Sequence, residues 1–210
     1  MATTPSAPAG RPLDGVMTER ILAEVRGRLS ADGYGAIRIE HVAAAVGCGK
    51  AAIYRRWPNK AELVAAAVAP EIYAEDDPLA SDTGNVGEDL LQHVLQSSSR
   101  YTRAPALGVG VGWAALGESE VVEILWKGPL GKRRELGLAI LRRGISRGQL
   151  PPMTDCNLIL DLLAGMSMYR YKVRSDPPDV AHYRAAIGTL LANPPLIRPS
   201  ERPADVVAAF

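Results

Sequence analysis

Apolar residues recur at helical spacing through most of the chain, and no alternating apolar–polar run of strand length interrupts them. The first stripe occupies positions i, i+1, i+4 and i+8, which places its side chains on one face of an α-helix. It predicts a helix over about residues 18–32, ended by Gly33 and Gly35, because glycine commonly follows the last helical turn. The members of this stripe are Ile21, Leu22, Val25 and Leu29. The chain is therefore predicted to be all-α.

Three shorter helices follow, and glycine and proline set their ends. Gly47, Cys48 and Gly49 break the second helix, and Pro58 stops the third because proline cannot continue the hydrogen-bond ladder. Asn59 then suits the N-cap of the fourth helix, where its side chain can accept a hydrogen bond from a free backbone N–H. These three predicted helices span about 39–46, 50–57 and 60 to 70–74.

A connection between two domains is predicted near residues 74–87, which are acidic and rich in turn-forming residues. Longer helices follow, and Gly128-Pro129 predicts a kink within one of them. Asp155 and Asp179 lie near helix starts, where a carboxylate suits the helix dipole. The later helices are predicted over about 87–103, 105–116, 118–148, 155–173 and 178–193. The predicted organisation is a disordered arm over 1–13, domains over 14–70 and 71–193, and a loose tail over 194–210 in which Val206–Phe210 could dock.

Composition excludes several classes of protein. The longest apolar runs are short and alanine-rich, such as Val64–Ala69, so no segment is expected to span a bilayer. Residues 2–13 lack the apolar core of a signal peptide, and we therefore expect a cytoplasmic protein without a membrane partner. Cys48 and Cys156 lie far apart without metal-ligand spacing, so we expect two reduced thiols and neither a metal nor a cofactor.

The net charge of +1 conceals an uneven distribution. Residues 1–70 carry nine Lys/Arg against six Asp/Glu, whereas residues 71–210 carry 15 against 17. Four basic residues and no acidic residue lie between His41 and Ala61. A local surplus of this kind attracts phosphate even when the whole chain is almost neutral.

Residues 33–64 predict a glycine turn, a short helix, a second turn, another short helix, a proline stop and a capped helix. This is the helix-turn-helix arrangement, whose second helix enters the major groove of DNA. At about 100° per residue, Ile53 and Trp57 share the inward face of that helix. The outward arc combines two cations, a phenol and a small side chain, which suits guanine edges, phosphates and thymine methyl groups. The arc consists of Lys50, Ala51, Tyr54 and Arg55, and it is flanked by Arg56 and Lys60, which can reach phosphates.

The same stretch resembles the DNA-binding domain of the TetR family of transcriptional regulators. The most specific match is residues 53–63, where an aromatic–basic core, a proline break, a cap, a lysine and a leucine recur in order. The resemblance is close over about residues 14–70 and continues more loosely to about residue 193. Further matches are Gly33-Tyr34, Ile39–Ala43 and Gly47, and in the looser part Arg147–Pro151 and Asp161–Gly165.

The resemblance implies roles for single residues. Tyr54 and Lys60 match positions that contact phosphates, and Arg56 stands where the family often has a phosphate-contacting histidine. The positions that read bases in the family correspond here to Lys50, Ala51 and Arg55.

Two positions depart from the family pattern. Gly49 and Ala52 stand where the family usually has serine and threonine, whose hydroxyls cap the helix and bind phosphate. Glycine still serves as an N-cap with less stabilisation, whereas alanine cannot replace a hydroxyl. We hypothesise that Arg38, at the start of the second helix, compensates with a phosphate contact of its own.

The resemblance also implies that the last two long helices form a four-helix interface in a homodimer. A two-fold dimer would match a palindromic operator with half-sites about 34–36 Å, or a multiple of this, apart. The alternative is that both apolar faces pack inside one subunit. The candidate interface residues are Leu158, Leu162, Met166, Tyr183, Ile187, Leu190 and Leu191.

A pocket for a small-molecule effector is expected between the helices of residues 87–173. Aromatic and methionine side chains there would suit an apolar, planar or bulky ligand, although each of them is also an ordinary core residue. The expected behaviour is repression, with ligand binding favouring a spacing of the two reading helices that no longer fits the operator. The candidate lining residues are His93, Tyr101, Trp113, Trp126, Met166 and Tyr169.

Two other classes of function compete with a regulator. An enzyme is not expected, because the glycine-rich runs at 108–112 and 128–133 lack the spacing of nucleotide-binding loops and the three histidines are isolated. A helical interaction module that has lost DNA binding is the other alternative, which the missing hydroxyls at Gly49 and Ala52 leave open. A steep fall of DNA affinity with salt would exclude the second alternative.

Overall fold

The computed structural model of the protein describes residues 15–72, 81–103, 115 and 117–198, and it is all-α over these ranges. The only β contact among them is an isolated antiparallel bridge between Thr154 and Leu196. The predicted arm over 1–13 and the possible docking segment Val206–Phe210 lie outside the described residues, as does all of the predicted helix 105–116 except Ala115.

Four helices form the N-terminal part: α1 (Gly15–Ala36), α2 (Ile39–Val46), α3 (Lys50–Tyr54) and α4 (Lys60–Ile72). Two of the glycines predicted at helix ends adopt a positive φ. Gly33 interrupts α1 with φ +76°, and Gly47 closes α2 with φ +70°, a left-handed conformation that favours glycine. The Asn59 side chain accepts a hydrogen bond from the Glu62 amide at 2.8 Å, so the predicted cap of α4 is confirmed.

Two of these helices differ in length from the prediction. Helix α1 begins three residues earlier than Thr18 and resumes briefly after Gly33. Helix α3 ends at Tyr54 instead of Trp57, and Arg55 and Arg56 form a turn. The Trp57 amide still donates to the Ile53 carbonyl at 3.0 Å, so the helical path continues far enough to bring Trp57 onto the side of Ile53.

The C-terminal part contains α5 (Val86–Arg103), α6 (Ser119–Leu125), α7 (Gly131–Ser146), α8 (Cys156–Lys172) and α9 (Val180–Ala192). A single π-helical turn over Trp126–Leu130 joins α6 to α7. The backbone of Gly128 leaves helical geometry there, at φ −119° and ψ −113°, so the kink predicted at Gly128-Pro129 is confirmed.

Side-chain caps begin the last two helices. The Asp155 carboxylate accepts from the Leu158 amide at 2.9 Å, and Asp179 forms a capping box with His182. The start of the tail, which we predicted to be loose, forms backbone hydrogen bonds with residues beside the start of α8. The Pro195 carbonyl accepts from the Asp155 amide at 2.7 Å, and the Ile197 amide donates to Met153 at 2.9 Å. These bonds satisfy backbone groups beside the start of α8 and thereby hold residues 195–197 in place.

Two separate groups of buried apolar residues hold the fold together. The first joins α1 to α4, and it also includes Val121 and Leu125 of α6, both fully buried. The second joins α5, α7, α8 and α9 around residues such as Leu90, Leu141 and Ile159. Helix α6 therefore follows the domain connection in sequence but packs against the N-terminal helices. This contact links the two parts of the protein mechanically.

A polar cluster fastens the start of the C-terminal part, over Ser81–Val86, to the end of α7. The buried Asp89 carboxylate accepts from the amide and the hydroxyl of Thr83, both at 2.7 Å, and lies 3.7 Å from the Arg143 guanidinium. Arg147 pairs with Asp82 at 2.6 Å. The Gln149 side chain accepts from the Val86 amide at 2.9 Å and donates to the Gly84 carbonyl at 2.6 Å, which satisfies free groups at the start of α5.

Candidate DNA-binding surface

Helix α3 has one buried side and one exposed side. Ile53 is fully buried, and Trp57 is half-buried against the same apolar group. Tyr54 is 48% exposed. Lys50, Ala51 and Arg55 are also exposed, so the four residues of the outward arc share one surface in the structure. We call Lys50, Ala51, Tyr54 and Arg55 the reading face.

Contacts from α1 and α2 fix the position of α3. The Cys48 amide donates to the Ala43 carbonyl at 2.9 Å in the turn between α2 and α3. The Arg20 guanidinium, from α1, donates to the Val46 carbonyl at 3.0 Å at the end of α2. Gly49 is the N-cap residue of α3 but contributes no side-chain cap, and its carbonyl accepts from the Ala52 amide at 2.9 Å. The turn is thus held by backbone bonds and by Arg20, without a side-chain cap on α3.

Arg56 contacts α1. Its Nε donates to the Thr18 hydroxyl at 3.0 Å, and its Nη1 donates to the Ala52 carbonyl at 2.7 Å. Thr18 and Arg56 are 38 residues apart, so helical spacing alone gave no sign of this bond. The structure therefore gives Arg56 a contact that ties α3 to α1, and its phosphate contact stays a prediction.

Two charged residues at the start of α2, Arg38 and Glu40, lie close to the reading face. The Lys50 ammonium lies 3.0 Å from the Glu40 carboxylate of α2, and both side chains are more than half exposed. A hydrogen bond from its own backbone amide, followed by the Lys50 ammonium, lowers the pKa of the Glu40 carboxyl. Arg38 is exposed, with Nη1 donating to the Gly35 carbonyl at 3.2 Å. Sequence analysis missed the role of Glu40, because only the fold brings it to Lys50.

Lys60 is the first residue of α4. Its ammonium is 3.9 Å from the centroid of the Tyr34 ring. Burial, and then the positive charge of Arg38, lower the pKa of the Lys60 ammonium, whereas Glu118 acts in the opposite direction. Among the predicted DNA-contacting residues, Arg38, Lys50, Ala51, Tyr54 and Arg55 are thus exposed, and Lys60 is half-buried beside Tyr34.

The candidate residues for an effector pocket do not form one enclosed site among the described residues. His93 is buried between α5 and α7, and burial, followed by the charge of Arg133, lowers its pKa to about 3. Trp113 and the side chain of Tyr101 lie outside the described part. Trp126 is 53% exposed and Tyr169 is 55% exposed, so neither lines an interior cavity of the single chain.

The exposure of these two aromatic residues has a local cause. The π-helical turn directs Trp126 outward, where the Arg134 guanidinium lies 5.5 Å from its ring centroid. Tyr169 lies on the outer face of α8, on the same side as Leu158 and Leu162. Both residues thus differ from the pocket positions predicted from their residue type.

The candidate dimer residues separate into two sets. Leu158 and Leu162 are exposed on α8, and Met166 and Leu190 line an open apolar groove of about 370 Å³ between α8 and α9. In contrast, Tyr183 and Ile187 are buried within the chain, and the Tyr183 hydroxyl lies 2.9 Å from the Ser167 hydroxyl.

The prediction that the apolar face of α9 lies in the dimer interface is therefore corrected for Tyr183 and Ile187. Tyr183 and Ile187 pack against the C-terminal helices of their own subunit, because this side of α9 faces α5 and α8. A methyl group added at Gly87 would lie 3.4 Å from Leu191, which places Leu191 on the α5 side as well. The exposed apolar surface that remains consists mainly of residues from α8, with Leu190 from α9.

Neither metal nor membrane chemistry is indicated by the described ranges. Within them, no three His, Cys, Asp or Glu residues are grouped so that they could hold a metal ion. None of the described helices combines the length and apolar character needed to cross a membrane. Cys48 and Cys156 are not joined to each other.

Comparisons with known proteins agree with this geometry. Residues 21–67 match the family described as bacterial regulatory proteins, tetR family, and residues 80–190 match the Tetracyclin repressor-like C-terminal domain. An HTH-type transcriptional regulator of Mycobacterium tuberculosis, Rv1556, is 30% identical over 172 residues, covering 75% of this chain and 77% of that protein.

Two further proteins show similarity over most of their length. The DNA-binding transcriptional repressor TetR of Mycobacteroides abscessus is 30% identical over 175 residues, which cover 81% of this chain and 88% of the repressor. The crystal structure of the TetR family transcription regulator SCO0332 superimposes with a TM-score of 0.56 at 25% identity, covering 87% of this chain and 99% of that structure. The protein therefore belongs to the TetR family and is a DNA-binding transcriptional regulator.

Proposed function

We propose that the protein is a homodimeric repressor that binds a palindromic operator through α3 and leaves it when a small apolar or aromatic ligand binds. The observation that carries this proposal is the two-sided environment of α3. Ile53 is fully buried behind the helix, while Tyr54, Lys50 and Arg55 face outward together. A short helix anchored in this way can enter the major groove without disturbing its own core.

Within this proposal the residues of the surface have different roles. Arg55 and Lys50 read base edges, because guanidinium and ammonium groups donate to the O6 and N7 atoms of guanine. Ala51 permits close approach, and Tyr54 donates to a phosphate. Lys60 and Arg38 bind phosphates at the border of the surface, where their charge is available to an anion. Gly49 and Ala52 contribute backbone groups only.

Repression is supported by the similar protein from Mycobacteroides abscessus, whose name describes a repressor. Dimerisation is supported by the apolar surface of α8, where Leu158 and Leu162 are exposed beside the groove formed with Met166 and Leu190. Two reading faces related by a two-fold axis would recognise an inverted repeat.

Release by a ligand requires a link between the two parts of each subunit. Helix α6 provides it in this proposal, since Val121 and Leu125 are fully buried against the N-terminal helices. The ligand would bind among α5, α7 and α8, near the buried His93, whose low pKa keeps it neutral at physiological pH. A ligand that prefers another position of α6 would lower operator affinity by linkage.

Selection of bound sequences from random duplex DNA tests the proposed function. We expect the wild-type protein to enrich an inverted repeat whose half-site centres are separated by one turn of about 10–10.5 base pairs, or a multiple of it. The Tyr54→Ala/Arg55→Ala variant, altered only at exposed positions, should enrich no sequence. Failure of the wild-type protein to enrich any sequence, or equal enrichment by both proteins, would contradict the proposal.

A further inference from the structure

Tyr34 and Lys60 form a contact between the end of α1 and the start of α4. Tyr34 follows Gly33, whose positive φ breaks α1, and the Tyr34 carbonyl accepts from the Ile37 amide at 3.1 Å. This geometry turns the Tyr34 ring towards α4, where the Lys60 ammonium lies 3.9 Å from the ring centroid. The distance is well within the range of a cation–π interaction, which extends to about 6 Å.

The surroundings of Lys60 differ from those of Lys50. Lys50 is paired with the Glu40 carboxylate, so a phosphate would compete with that carboxylate for the ammonium. Among the described residues no carboxylate lies within ion-pairing distance of Lys60. The ring attracts the ammonium through its π face but accepts no conventional hydrogen bond there, so the N–H groups remain available to an anion.

The charges near this pair are of both signs. Burial, and then the positive charge of Arg38, lower the pKa of the Lys60 ammonium, whereas the negative charge of Glu118 acts in the opposite direction. Two cations that repel each other are stabilised when an anion lies near both. Burial, followed by the charges of Glu120 and Glu118 at the start of α6, raises the pKa of the Tyr34 phenol.

We propose that Tyr34 is a positioning residue for operator binding, which holds the Lys60 ammonium over its ring so that it meets a DNA phosphate beside Arg38. This inference rests on the proposed function and adds a residue that contacts no DNA itself. Without the ring, the long Lys60 side chain would sample many rotamers, and ordering it on the DNA would reduce affinity. Tyr34→Phe retains the ring face, whereas Tyr34→Leu removes it and keeps an apolar side chain against the core.

A double-mutant cycle on DNA tests this role. Affinity is measured for the full-length protein and a fixed duplex of about 30 base pairs taken from the selected pool, long enough for two half-sites. We expect Tyr34→Leu to bind about three- to tenfold more weakly than wild type, and Tyr34→Phe to restore the affinity. In the Lys60→Ala background, Tyr34→Leu should cause no further loss, because the group that it positions is absent.

Three results distinguish a failure of this inference from a failure of the proposed function. Additive losses in the cycle would show that Tyr34 acts only through the fold, and they would overturn the inference. Lys127→Ala removes an exposed lysine of the C-terminal part and should leave affinity unchanged. Absence of salt-dependent binding by the wild-type protein would contradict the proposed function instead.

A measurement without DNA tests the contact itself. The Lys60 methylene protons nearest the nitrogen should show an upfield ring-current shift in the NMR spectrum of the wild-type protein. We expect this shift to persist in Tyr34→Phe and to disappear in Tyr34→Leu, with both variants folded by circular dichroism. An unshifted Lys60 resonance in the wild-type protein would overturn the inference even if the protein binds DNA.

Discussion

Replacing Leu162 with glutamate is expected to convert the protein into a folded monomer that has lost most of its operator affinity. Leu162 is 46% exposed in the single chain, so the substitution removes few contacts within the subunit. In the proposed dimer the same side chain is covered by the partner, and a buried carboxylate without a counter-charge is strongly destabilising. The loss of the second reading face should weaken operator binding by about 100-fold or more.

Sedimentation velocity and a DNA titration measure the two effects of Leu162→Glu. Met168→Glu is the matched control, because Met168 is a similarly exposed apolar residue of α8 that is turned by about 120° from Leu162 around the helix. We expect the Met168 variant to remain dimeric. A dimeric Leu162→Glu protein with unchanged operator affinity would show that subunits associate through another surface.

Replacing Asp89 with alanine is expected to lower the free energy of unfolding by about 2–4 kcal/mol. Asp89 is only 2% exposed and accepts two hydrogen bonds from Thr83 at 2.7 Å. Alanine would remove the acceptor of both bonds and the carboxylate that faces Arg143. The segment Ser81–Val86 would then lose its main anchor to α7.

Urea unfolding at a fixed protein concentration measures the effect of Asp89→Ala. Asp161→Ala is the control, since its carboxylate pairs with Arg134 at 2.8 Å but is 60% exposed. An exposed pair of this kind contributes about 0–1 kcal/mol, so the Asp161 variant should unfold close to wild type. Equal midpoints for the two variants would contradict the importance that we give to the buried cluster.

Local sequence signals predicted the helix ends well. Gly33, Gly47 and Asn59 act through backbone conformation or a hydrogen bond to a residue nearby, and such effects are visible in a short window of sequence. The same is true of the kink at Gly128-Pro129. The two sides of α3 were also predictable, because burial of Ile53 follows from helical periodicity within one short element.

Features that depend on distant contacts were not predictable. An apolar stripe shows that a helix face is covered but not by what, so Tyr183 and Ile187 were assigned to a partner subunit although they pack within their own. The bond from Arg56 to Thr18 was not predicted, because no pattern in the sequence links the two residues. Trp126 was expected inside because it is large and apolar, whereas the π-helical turn places it at the surface.

The central claim is that the outward side of α3 reads operator DNA, and the affinity of Arg55→Ala for the selected operator tests it most directly. Arg142→Ala removes the same charge at an exposed position of α7 and serves as the control. We predict at least about a tenfold loss for Arg55→Ala, with relaxed base preference at one position in each half-site, and no loss for Arg142→Ala. Unchanged affinity and base preference in Arg55→Ala would contradict the claim.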